Sequence, residues 1–197
     1  MLLVLATLTA ACATRAPVQV EPPEPAPPPP LASPACEEIV RIEVWKGERT
    51  LVAYCKRGAM RKMHIALGRE DVGPKTSSND QRTPEGQYQI SGPARPGRFH
   101  LFIPIDYPSL RDAEKALAAG RISAAAYARI VEAIERGRLP PQDTALGGYL
   151  GFHGEGERWR GDSKHLDWTY GCIAVTDAEI EFLATRTEPG VAVRIHP

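Results

Sequence analysis

The 197-residue chain has no excess of charge of either sign: Lys and Arg together number 24, and so do Asp and Glu. A nucleic-acid binder carries a basic excess, so nucleic acid is not an expected partner. No apolar run is long enough to span a bilayer as a helix; the one that opens the chain, Met1 to Ala11, is too short. Neither HExxH nor paired CxxC spacing occurs, so no metal and no cofactor is implied. No internal repeat is visible. Cysteine is scarce, with four residues: Cys12, Cys36, Cys55 and Cys172. In an exported protein Cys36 and Cys55 flank a hairpin and could pair, which leaves Cys172 as a free thiol in need of an explanation.

What is present sorts into three zones. The opening apolar run ends in two small residues before Cys12 and resembles a bacterial lipoprotein signal, with residues 1–12 as signal and lipobox and Cys12 as the lipidated residue. A plain secretory signal and a buried apolar start are the other readings. Residues 13–35 form a Pro-rich linker, with Pro27 to Pro30 in one run; such sequence prefers extended polyproline conformations and cannot pack a core. Residues 36–197 are expected to form the folded domain. The order anchor, spacer, domain implies a periplasmic protein tied to a membrane by an N-terminal lipid. Ala13 after Cys12 does not suggest inner-membrane retention, so the outer membrane is the expected destination.

Within the domain, Ile39 to Trp45 and Leu51 to Tyr54 alternate around a Lys46-Gly47-Glu48-Arg49 turn and read as a hairpin. Further strands are expected at Met60 to Leu67, Gln87 to Ser91, His100 to Ile105, Tyr149 to Phe152, Cys172 to Val175 and Val191 to Ile195. Residues 108–141 read as a helical insertion, with helices over Leu110 to Ala119 and Ser123 to Arg136, and Gly120 and Gly137 at their ends. The insertion is a candidate cap over a cleft. Asp177 to Thr185 reads as a short helix capped by Thr176 and Glu179. The class is therefore mainly β, with a helical insertion and a short helix after Cys172.

The chemistry concentrates at Gly151-Phe152-His153-Gly154 and at Asp167-Trp168-Thr169-Tyr170-Gly171-Cys172-Ile173. A thiol is nucleophilic as its thiolate, and an imidazole can take its proton. His153 and Cys172 sit at strand ends joined by one loop, which can bring them together. Gly154 permits close backbone approach, and backbone N–H groups beside Gly171 are candidate oxyanion donors.

This pattern of His-Gly, a loop, then Thr-X-Gly-Cys-aliphatic resembles the L,D-transpeptidase catalytic domain (YkuD-type). Leu67-Gly68, Gly73-Pro74-Lys75 and Thr83-Pro84-Glu85-Gly86 follow the family's order, and the segment around Cys172 is similar to its YafK-like branch. The resemblance covers roughly residues 38–196. It implies a mixed β-sheet, sandwich or barrel-like fold with the cysteine at the mouth of a cleft. It also implies acyl transfer on peptidoglycan stem peptides in cell-wall remodelling, through a thioester on Cys172. His153 would be the base, the Gly154 carbonyl would orient it, and N–H groups at Tyr170, Gly171 and Cys172 would hold the oxyanion. Trp168, Thr169, Asp167 and Arg158 are candidate substrate contacts.

Two departures stand out. The family usually carries His where this chain has Tyr170, and Arg where it has Ala174. Some members of the YafK-like branch are hydrolases that release lipoprotein from peptidoglycan, so hydrolysis is the alternative reaction and a peptidoglycan-linked lipoprotein the alternative partner. A non-catalytic peptidoglycan-binding lipoprotein is the reading from another class.

Overall fold

The computed structural model describes residues 36–156 and 166–197. Cys12, the Pro-rich linker and Arg158 lie outside them. Among the described residues, nine strands form two mixed sheets, here called A and B.

Sheet A has the order β3-β2-β1-β9-β4. Strands β1 (Ile39–Trp45) and β2 (Thr50–Cys55) form the expected antiparallel hairpin, with Ile42 opposite Ala53 and Val44 opposite Leu51. All four of these side chains are buried, because alternate residues of a strand face the same side. Strand β3 (Met60–His64) continues the meander on one flank. On the other, β9 (Ala192–His196) runs parallel to β1, and β4 (Gly86–Gln89) pairs antiparallel with β9. Cys36 and Cys55 form a disulfide that ties the segment leading into β1 to the end of β2, their Cα atoms 5.3 Å apart.

Sheet B has the order β5-β6-β7-β8, made of β5 (Arg95–Gly97), β6 (His100–Pro104), β7 (Gly151–His153) and β8 (Ile173–Ala174). Strand β5 was not expected: Arg-Pro-Gly has neither alternation nor apolar character, and Pro is tolerated there because β5 is an edge. The strand expected over Met60 to Leu67 stops at His64, and Ala66 instead makes an isolated bridge to Ala174.

Helices α1 (Leu110–Ala118) and α2 (Ala124–Glu135) occupy the expected insertion. Ser109 and Asp112 form a capping box on α1, and the Ser123 hydroxyl caps α2. Ala113, Ala116 and Ile130 join the main core, and Tyr88 donates its hydroxyl to Asp112 at 3.0 Å. The insertion is thus part of the domain's core. Helix α3 (Asp177–Ala184) starts at a capping box of Thr176 and Glu179, as its sequence implies. The fold class is mainly β, as expected.

Candidate active site

Strand register brings the two candidate catalytic side chains together. In the parallel pair β7–β8, Phe152 lies opposite Ile173 and His153 opposite Ala174. One step earlier on each strand, Cys172 falls beside Gly151. Cys172 and His153 are therefore diagonal neighbours whose side chains share one face of sheet B. Both line a cavity of about 510 Å³.

His153 is buried, stacked on Phe99 with ring centroids 5.0 Å apart and edge-on to Trp168 at 5.3 Å. Burial pushes its pKa below the usual value, against the opposing effect of a hydrogen bond to Gly154. Nδ1 lies 2.7 Å from the Gly154 carbonyl oxygen. A carbonyl only accepts, so Nδ1 carries the proton and Nε2 keeps its lone pair. With its pKa lowered by burial the ring favours the neutral form, in which the basic nitrogen is Nε2.

Cys172 is partly buried, and desolvation raises its thiol pKa to about 11; a backbone hydrogen bond from Gly151 and the charge of Lys75 pull in the opposite direction. Its Sγ contacts the Tyr149 carbonyl at 3.7 Å. With the imidazole pKa low and the thiol pKa high, the resting proton stays on sulfur. The arrangement suits removal of that proton as attack occurs. Tyr149 itself has a left-handed φ of 56°, and its N–H donates to the Gln142 side chain at 2.6 Å. Gln142 lies just beyond the helical insertion, and its amide also donates to the Tyr107 carbonyl. No residue of 108–141 lines the cavity, so the insertion does not cap it; its tie to the site runs from the Pro140 carbonyl through the Gln142 side chain to Tyr149.

The segment before Cys172 is held by directional bonds. Asp167 Oδ1 accepts from Leu67 N at 2.8 Å, and Oδ2 pairs with Arg49 at 2.5 Å. The Leu67 carbonyl accepts from both Trp168 N and Thr169 N. Asp167 does not line the cavity. Its expected substrate contact is therefore replaced by a clamp, because both carboxylate oxygens are taken up by the fold. Thr169, expected as a contact, lines the cavity with its hydroxyl already engaged: it donates to the Cys172 carbonyl at 2.7 Å and accepts from Gly171 N at 3.1 Å. That bond occupies the Gly171 N–H expected as an oxyanion donor. Gly171 has φ 121°, and a Cβ there would lie 2.5 Å from the Arg82 carbonyl oxygen, so the turn requires glycine. A Cβ on Gly154 would collide with Asp177 Oδ1, which accepts from Gly156 N at 2.9 Å. Trp168 lines the cavity, as does Tyr170, whose side chain is exposed.

The Thr83-Pro84-Glu85-Gly86 turn is structural. Thr83 Oγ1 accepts from Gly68 N at 3.0 Å, and Glu85 pairs at 2.7 Å with Lys46, a buried ammonium that also donates to the Gly73 carbonyl. Lys75 is likewise buried and bound to Asp80 at 2.9 Å.

The family model described as the L,D-transpeptidase catalytic domain (YkuD) matches residues 39–195. The chain belongs to this family. A search of curated proteins finds no match. Solved structures similar to this chain are so at low identity. Bd1075 of Bdellovibrio bacteriovorus is 18% identical, with 80% of this chain and 48% of that one covered and a TM-score of 0.47. The L,D-transpeptidase of Xylanimonas cellulosilytica is 13% identical, with 83% and 63% covered and a TM-score of 0.42. L,D-transpeptidase 3 of Mycobacterium tuberculosis, solved with a faropenem-derived adduct, is 12% identical, with 81% and 60% covered and a TM-score of 0.48. The chain spans less than two thirds of the length of each of these solved chains.

Sequence reasoning missed several cavity residues of this L,D-transpeptidase domain: Phe99, Tyr149, and the arginines 69, 95 and 98. They come from loops and an edge strand, where no periodicity marks which side chain faces inward.

Proposed function

We propose that the protein is a cysteine acyl-transfer enzyme acting on peptidoglycan stem peptides. The observation that carries this reading is the shared face of Cys172 and His153, with Nδ1 committed to the Gly154 carbonyl and Nε2 left basic. Nε2 takes the thiol proton as sulfur attacks the carbonyl of the third stem residue. The C–N bond to D-alanine breaks, and the imidazolium returns the proton to the departing amine. The thioester is resolved by an amine, which makes a new cross-link, or by water. Backbone N–H groups at Tyr170 and Cys172 are the oxyanion donors in this scheme, since that of Gly171 is engaged within the turn.

An exported, lipid-anchored location belongs to the same proposal. A disulfide at Cys36–Cys55 fits an oxidising compartment, and Cys12 would carry the lipid that tethers the domain to the outer membrane.

Muropeptide mass spectrometry after incubating the protein with purified sacculi tests the reaction, with Cys172→Ala as control and with sacculi that do or do not carry bound lipoprotein. New 3–3 cross-links or exchange of D-alanine are expected, falling at least about a thousandfold in Cys172→Ala. Loss of linked lipoprotein or cross-links without new bonds would assign hydrolysis. No difference from Cys172→Ala would end the enzymatic reading and leave a binding module.

A further inference from the structure

Three guanidinium groups, Arg69, Arg95 and Arg98, line the cavity that holds Cys172 and His153, and no carboxylate among the described residues lines it. The whole chain is neutral, so this is a local concentration of charge. Each guanidinium lies over an aromatic ring: Arg69 over Tyr170 at 5.2 Å, Arg95 over Phe102 at 5.3 Å, and Arg98 over Phe99 at 5.5 Å. Stacking restrains the planar group while leaving its N–H edge available, the arrangement that suits a carboxylate.

The three fall on two walls. Arg69 belongs to the wall that carries the nucleophile, with its backbone N–H bonded to the Thr169 carbonyl at 3.2 Å. Arg95 and Arg98 lie on the hairpin of β5 and β6, beside the Phe99 ring that stacks on His153. A carbonyl presented to Cys172 would share the cavity with all three. Ala174 supplies no cation from the strand that follows Cys172, so the positive charge lining the cavity comes from loop and edge positions instead.

The geometry points to a charge-selective acyl-donor site: Arg69 on one wall, and Arg95 with Arg98 on the other, recognise free carboxylates flanking the reacting carbonyl of an acidic peptide. This deepens the acyl-transfer reading and rests on it for the position of that carbonyl. The site discriminates a peptide with free carboxylates from the same peptide with carboxamides, which match in size and lack charge.

The test pairs a synthetic stem tetrapeptide with its amidated twin. Binding is measured by calorimetry on full-length Cys172→Ala, and turnover on the wild type. The amide is expected to bind about tenfold more weakly for each carboxylate removed, with the difference shrinking at high salt. Arg69→Ala and the double variant Arg95→Ala/Arg98→Ala each reduce the discrimination, whereas Arg41→Ala, which removes a charge from sheet A, preserves it. Equal binding of acid and amide overturns the inference. Turnover with equal kcat/KM for both peptides also overturns it while leaving acyl transfer standing. Discriminating binding without turnover of either peptide keeps the charge-selective site and removes the acyl-transfer reading.

Discussion

Sheet A and sheet B differ in what holds them. Sheet A has strands of four to seven residues, apolar alternation in its central hairpin, a disulfide at one end and the buried Lys46–Glu85 pair at the other. Its order comes from buried area and cross-links, which tolerate small displacements. Sheet B has strands of two to five residues interrupted by Pro96, Gly97, Pro104 and Gly151. Around its reactive end the order comes from single directional bonds: Asp167 to Leu67 N, Thr169 to the Cys172 carbonyl, Asp177 to Gly156 N. The difference teaches where each kind of damage should appear. Lesions in sheet A should lower stability first, and lesions around sheet B should lower activity first.

The largest expected effect breaks the comparison on the sheet A side. Lys46→Met leaves the half-buried Glu85 carboxylate without its cation and removes the donor that the Gly73 and Thr83 carbonyls share. A loss of about 3–5 kcal/mol in denaturant unfolding is expected. Adding Glu85→Gln should recover part of it, because the stranded charge is then gone. A loss below about 1 kcal/mol would show that the pair does not hold sheet A.

Asp167→Asn sharpens the other side. The amide keeps one acceptor for Leu67 N and loses the ionic bond to Arg49. Stability should fall by about 1 kcal/mol, whereas acylation of Cys172 should slow by about 1.4–2.7 kcal/mol of barrier, roughly ten- to a hundredfold. A change in melting temperature with an unaltered acylation rate would refute the clamp.

The smallest effect is a pH dependence. Burial raises the Cys172 thiol to about 11 and lowers His153, so deprotonated sulfur is scarce at pH 7 and grows as pH rises. Alkylation by iodoacetamide should therefore climb steadily from pH 6 to about pH 10 without a plateau. Peptide turnover needs His153 unprotonated, and a lowered pKa places its acid limb below the ordinary histidine value of about 6.5. An alkylation plateau that begins below pH 7 would instead establish a standing thiolate–imidazolium pair.

Much of this was legible in the residues. The β1–β2 hairpin follows from alternation, α2 and α3 from Ser123 and the Thr176–Glu179 pair, and the family from His-Gly and Thr-Tyr-Gly-Cys. Asp167 and Thr169 stood out as special, but their partners did not. Arg49 lies 118 residues from Asp167 in the chain, and sequence spacing cannot signal a pair across that distance. Strand β5 was invisible because an edge strand of Arg-Pro-Gly has no pattern to read.

The sequence by itself determined the identities on which the proposed chemistry depends: among the described residues one thiol outside the disulfide, a histidine followed by glycine, and a glycine where the turn before Cys172 has φ 121°. These are local properties, set by side-chain chemistry and backbone sterics. Tertiary structure decided which groups face the cavity. It bound Asp167 and Thr169 as clamps, set Nδ1 of His153 on the Gly154 carbonyl, and gathered three arginines from a loop and an edge hairpin around the cavity. The reason is physical: strand register and long-range hydrogen bonds fix direction, and direction is not encoded in the neighbours of a residue along the chain.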